Sequence, residues 1–179
     1  MSSDKKASAL SLQTVRGKKV IAEGVIPADL LRRRMHCSAA EMEAYYHASA
    51  LGGVLSGNIG IQGHIANALA AIFIACGQDA ACVAEAAVGV TRLEEAPEGA
   101  LYASVTLPNL IVGTVGGGTD LPSQRACLEI LGLAGPGHAN AFAEVCAALV
   151  LAGEISIIAA LAGGHFTRAH RKLARGGQP

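Results

Sequence analysis

Tryptophan is absent from this chain, and aromatic residues together make up only 3% of it. That excludes the base-stacking platforms on which single-strand nucleic-acid binders depend. Net charge is missing too. Fourteen basic and fourteen acidic residues give a formal charge of +0 and a sequence pI near 7.0, so no overall field draws the chain to nucleic acid or to an anionic membrane. The five cysteines (Cys37, Cys76, Cys82, Cys127 and Cys146) contain no C-x-x-C pair. An odd count without metal spacing reads as buried free thiols in a reducing compartment. No G-x-S-x-G, P-loop or G-x-G-x-x-G pattern occurs. The first residues lack the apolar core of an export signal, which predicts a cytoplasmic protein.

What is present is 51% hydrophobic residue and 22 glycines in 179 positions. That suffices for one domain whose core is built from Ala, Val, Leu and Ile. The longest apolar run, residues 145–162, has the length of a short membrane span. Glu154 and Ser156 fall at its middle, and a central carboxylate is expensive in lipid, so the run predicts a buried core helix.

Along the chain, β-prone runs at 10–15 and 19–22 flank Arg16-Gly17-Lys18 and predict a β-hairpin. Pro27 predicts a helical turn over 28–35. Ser38-Ala39-Ala40-Glu41 is a capping-box pattern that predicts a helix to about Ser49. Five glycines in 52–63 predict a loop. Residues 64–78, apolar almost all round, predict a buried helix. Strands are expected at 88–93 and 101–111 about a polar turn at 94–99, and helices at 123–131 and from about Asn140 to Ala162.

Between the second of these strands and the 123–131 helix lies Gly113-Thr114-Val115-Gly116-Gly117-Gly118-Thr119. A glycine-rich turn feeding a helix N-terminus can cradle an anion or can simply be a tight connection. Asp79 is the sharpest single position. It follows an apolar helix, at the unfavourable end of its dipole, where burial would raise its pKa; an exposed helix-stop carboxylate is the other reading. His165 and His170 are five residues apart and do not share a helix face as an i, i+4 metal pair would, so no metal site is expected. His64 opens an apolar helix and is compatible with a capping role.

Several blocks in order resemble the C-terminal part of hydroxymethylglutaryl-coenzyme A reductases. They are Arg16-Gly-Lys-Lys-Val20 with Val25-Ile-Pro-Ala28, Ile74-Ala-Cys-Gly-Gln-Asp-Ala80, Gly113 to Thr119 with Ala126-Cys-Leu-Glu-Ile-Leu-Gly132, Leu151-Ala-Gly-Glu-Ile-Ser156, and Ala159-Ala-Leu-Ala-Gly-Gly-His165. The resemblance implies an α+β fold, the C-terminal half of the reductase large domain over 1–179, with long buried helices packed on a small, mostly antiparallel sheet. It implies that the small cofactor domain is absent and that 163–179 form a mobile tail. The implied activity is reduction of hydroxymethylglutaryl-CoA to mevalonate and CoA with NADPH, or NADH, in two hydride steps. Asp79 matches the catalytic aspartate, which in the family hydrogen-bonds a catalytic lysine. His170 matches the tail histidine that protonates the departing thiolate. Asn67 and His64 match substrate-pocket positions, and the 113–119 run is a signature near cofactor and reaction centre. The catalytic glutamate block is missing, and the catalytic lysine is expected upstream of this region. No lysine stands near residues 47–49, where the family grips the substrate carboxylate. The expected partners are an acyl-CoA and either a second copy or the missing reductase segment. The isolated chain is expected to be inactive. The alternative is a non-catalytic acyl-CoA-binding or dimerisation module.

Overall fold

A computed structural model describes residues 3–13 and 16–164. Its centre is an antiparallel sheet in the order β1-β3-β2, formed by Lys18–Ile26 (β1), Ala100–Leu110 (β3) and Val90–Ala96 (β2). Val20 pairs with Leu107 and Ile26 with Leu101 on one side of β3, and Val90 pairs with Thr106 on the other. A single parallel bridge, Ile61 to Val90, extends the sheet edge. The α+β architecture of helices on a small antiparallel sheet is therefore the one expected.

Helix α1 (Ala28–Leu30) follows Pro27 and continues as a π-type turn, Leu31–Met35. Helix α2 (Ala39–Leu55) starts at the capping box: Ser38 Oγ accepts the Glu41 N–H at 3.2 Å, and the Ser38 N–H donates to Glu41 Oε2 at 2.8 Å. Helix α3 (Ile65–Ala75) and the short α4 (Val83–Ala86) precede β2. After β3 come α5 (Pro122–Ile130) and the long α6 (Ala139–Ala162).

Helix α6 organises the core. Its first half places Phe142, Cys146 and Val150 against Leu69 and Phe73 of α3 and Leu107 of β3. Its second half places Ile155, Ile158 and Ala159 against Met42 of α2 and Leu93 of β2. It is long and apolar enough to cross a membrane, yet Glu154 is fully buried within the protein at its middle. Small residues let α6 lie close to both its neighbours, which is why so few aromatics suffice.

Three expectations fail. The hairpin does not form: Ala9–Leu12 is a 3-10 turn, with Ser11 buried and Leu10 and Leu12 exposed. β1 pairs instead with β3, and a methyl at Gly17 would collide with the Leu110 carbonyl. Long-range pairing has overridden local β propensity. The 52–63 loop is shorter than expected, because α2 propagates through Gly52 and Gly53 to Leu55; two helical glycines cost only about 1 kcal/mol each. β2 reaches Ala96, since Pro97–Gly99 alone makes the turn, with Glu98 and Gly99 both at positive φ.

Candidate functional site

Asp79 does not sit where an α3 tail would leave it. Gly77, at φ +67°, ends α3 and turns the chain. Asp79 then becomes the N-cap of the next turn, Ala80–Cys82, its Oδ1 accepting the Ala81 N–H at 3.0 Å. This is the favourable end of a helical turn for a carboxylate. The side chain is half exposed, and its Oδ2 lies 2.7 Å from Lys5 Nζ. The pairing with Lys5, helped by the Ala81 N–H, holds Asp79 below the usual carboxylate range and raises Lys5 above the ordinary lysine value. The upward shift by burial does not occur. The lysine that Asp79 meets in this chain is Lys5.

The glycine-rich turn is docked onto the same spot. Gln78 Nε2 donates to the Gly113 carbonyl at 2.9 Å and to the Cys76 carbonyl at 2.8 Å, and its Oε1 accepts the Gly113 N–H at 2.9 Å. Gly77 and Gly118 meet backbone to backbone, with no room for a methyl at Gly77. Gly116 and Gly117 take positive φ, 82° and 58°, which only glycine does without strain. The turn's hydroxyls are spent internally: Thr114 Oγ1 donates to the Gly135 carbonyl at 2.6 Å and Thr119 Oγ1 to that of Gly116 at 2.8 Å. Beside it lies a cleft of about 270 Å³, lined partly by Val115, Asp120 and Arg125. Arg125 is already paired with Asp120 and Glu129, and Pro122 removes one N–H from the start of α5. Charge and donors alike disfavour a self-contained phosphate cradle. The structure assigns the glycines to close approach, with Val115 exposed at the tip.

His64 and Asn67 stand at the opposite end of α3. The His64 ring packs against Gly153 of α6, where a methyl would collide with it. Its backbone N–H donates to Glu154 Oε1, and the Gly63 N–H donates to both oxygens of the same carboxylate at 2.9 and 3.0 Å. Thr91 Oγ1 completes the set at 2.8 Å. Asn67 is exposed on the first turn of α3. The 11 residues of α3, roughly 16 Å of helix, lie between His64 and the turn that carries Asp79. His170 and His165 lie outside the described residues.

Sequence reasoning missed Lys5, Gln78 and the carboxylate of Glu85. The lone acid in the apolar stretch between Ala80 and Val90 was the available signal, because a buried charge must find partners.

Residues 1–175 match the family model described as hydroxymethylglutaryl-coenzyme A reductase. The chain is 45% identical over 178 residues to the 3-hydroxy-3-methylglutaryl-coenzyme A reductase of Pyrococcus horikoshii, covering 96% of this chain and 43% of that protein. It is 45% identical over 183 residues to that of Aeropyrum pernix, covering 99% and 43%. Against the Fusarium fujikuroi reductase it is 42% identical, covering 98% of this chain and 19% of the relative. The chain thus spans less than half the length of these relatives. It belongs to the hydroxymethylglutaryl-coenzyme A reductase family.

Proposed function

We propose that this chain supplies the carbonyl-polarising half of a hydroxymethylglutaryl-CoA reductase, active in the reduction of hydroxymethylglutaryl-CoA to mevalonate and CoA. The observation that carries the proposal is the Lys5–Asp79 pair, 2.7 Å apart at the base of the glycine-rich turn. Reduction of a thioester carbonyl builds negative charge on its oxygen. A fixed ammonium stabilises that charge, and a neighbouring carboxylate fixes the ammonium. Asp79 thereby keeps Lys5 protonated and aimed. His170 is proposed as the proton donor to the departing CoA thiolate, with His64 and Asn67 binding substrate.

NADPH, or NADH, supplies the hydrides in this reading. Among the described residues, the internally satisfied 113–119 turn and the paired Arg125 argue against a site for its phosphates. The dinucleotide is therefore assigned to sequence outside this chain, and the chain's own part is confined to the carbonyl and the acyl-CoA. Separation of His64 and Asn67 from Asp79 supports a site shared between chains. Exposed apolar side chains point the same way: Leu51, Val54 and Leu55 at the end of α2, Ile74 on α3 and Ile130 on α5. The cytoplasmic location expected from the free thiols belongs to the same proposal.

The test is turnover with NADPH and hydroxymethylglutaryl-CoA by this chain, alone and mixed with the remaining segment of a relative. Turnover is expected only in the mixture, and Asp79→Asn or Lys5→Met lowers it about 100-fold or more. Full activity with Lys5→Met would overturn the assignment. The exposed stretch His47-Ala48-Ser49 offers no lysine for the substrate carboxylate, which favours a second reading, a non-catalytic acyl-CoA-binding module. CoA binding without turnover in the mixture would establish that reading.

A further inference from the structure

Lys5 is gripped at two points by one short stretch of chain. Its ammonium meets Asp79, the N-cap of Ala80–Cys82, and its backbone N–H donates to Glu85 Oε1 at 3.2 Å, on α4 immediately after. The backbone needs that second hold. Lys5 has φ +56°, a left-handed conformation that residues with a β-carbon seldom adopt unaided. Glu85 is 1% exposed and is fixed in turn from three sides. Arg16 donates through Nε at 3.1 Å and Nη2 at 2.6 Å, and Asn109 Nδ2 donates at 3.1 Å. Asn109 Oδ1 accepts the N–H groups of Arg16 and Gly17 at 3.0 and 3.1 Å, and Arg16 also pairs with Asp4. Three other segments of sequence, 16–17, 79–85 and Asn109, are therefore linked to the hold on one lysine.

Resting on the reading of Lys5–Asp79 as the carbonyl-polarising pair, we propose that Glu85 is a positioning residue for Lys5. It fixes the lysine's left-handed backbone so that the ammonium stays against Asp79. Arg16 and Asn109 serve by holding Glu85 ionised and in place. Nothing in this needs Glu85 to touch substrate, and its burial beneath Lys5 and Arg16 keeps it from doing so.

The experiment is competitive acetylation of the full chain across a pH series, with site-resolved mass spectrometry of Lys5 and with Lys18 and Lys19 as internal references. In the unaltered protein Lys5 titrates above the ordinary lysine value. In Glu85→Ala, with the sheet still folded by circular dichroism, Lys5 falls toward that value, giving about a threefold rise in its labelling rate near pH 9. The double variant E85A/R16A removes the buried charge and its partner together, leaves no unpaired ion, and decides the matter should the single variant not fold. Asp79→Asn is run beside them. If D79N frees Lys5 and the Glu85 variants do not, the positioning role is overturned while the pair stands. If D79N leaves Lys5 unchanged, the pair itself fails and the positioning role falls with it. A fall in melting temperature without a change at Lys5 would make Glu85 merely structural and also sink the proposal.

Discussion

Two buried carboxylates do similar work at opposite ends of α3, and by different means. Glu85 is held by a guanidinium, an amide side chain and one backbone N–H. Glu154 is held by two backbone N–H groups and a hydroxyl, with no cation among its hydrogen-bond partners in the described residues. The first clamp depends on Arg16 and Lys5, whose charged ends reach solvent. The second depends on fixed dipoles at the N-terminus of α3 and is enclosed by α6, β2 and the 60–64 turn. The difference sets what each site can tolerate. The Lys5 end is electrostatic and tied on locally, whereas the His64 end is built into the core that holds α6 to α3.

The largest effect should come from breaking the core-bound clamp. Glu154→Ala leaves the buried Thr91 hydroxyl and the Gly63 and His64 N–H groups without their acceptor, and removes the contact that seats His64. The expected loss is about 3–5 kcal/mol of stability, read from the urea midpoint. A loss under about 1 kcal/mol would mean that water reaches these groups, and the contrast with Glu85 would collapse.

Glu154 also shows what could be read from sequence. A carboxylate in the middle of an 18-residue apolar run argued against a membrane span and predicted a core helix, because a protein interior can supply its partners. α6 and the capping box of α2 were legible for the same reason, that the signal and its partner lie within a few residues or within one periodic face. The site was legible only where it resembled known blocks. Lys5 meets Asp79 across 74 positions and Glu85 across 80, and no local pattern encodes such a pairing. The β-prone residues at 10–15 were misread for the complementary reason: the strand partner of Lys18–Ile26 is β3, more than 70 residues on.

A smaller effect, confined to the Lys5 end, should follow from pH and salt. Glu85 and Asp79 are held below the usual carboxylate range, chiefly by Arg16 and Lys5 respectively. A depressed folded pKa stabilises above the unfolded value, about 4, and that stability is lost as pH falls through the folded value. Lys5 runs the other way. Its raised pKa stabilises fully below about 10 and is lost as pH climbs through the folded value. The N-terminal segment should thus stay docked between about pH 5 and pH 10 and loosen outside that window. Salt at about 1 M should loosen it further, since the Debye length falls to about 3 Å. Hydrogen exchange of residues 3–13 should rise in both cases while that of α6 does not. Equal rises in the two regions would refute the distinction.

The finest test uses two thiols, one beside the Lys5 clamp and one in the core along α6. Cys82 and Cys146 are both buried, but for different reasons. Cys82 lies among Lys5, Arg16, Asp79 and Glu85, and its thiol is raised first by burial and then by the two carboxylates. Cys146 lies inside α6, two helical turns before Glu154, and burial pushes it up to about 12. Alkylating Cys82 requires only that the N-terminal segment lift away, whereas alkylating Cys146 requires that α6 leave the sheet. In neutral buffer the partly exposed Cys127 should react first, Cys82 slowly and Cys146 not until the protein unfolds. High salt should speed Cys82 several-fold, on the order of the screening effect on two half-exposed ion pairs, and leave Cys146 unchanged. Mass spectrometry of the alkylated peptides reads all three at once. If Cys82 and Cys146 open together under every condition, the Lys5 end is part of the same cooperative unit as α6. The local attachment inferred from its charged partners would then be wrong, even with every hydrogen bond in place.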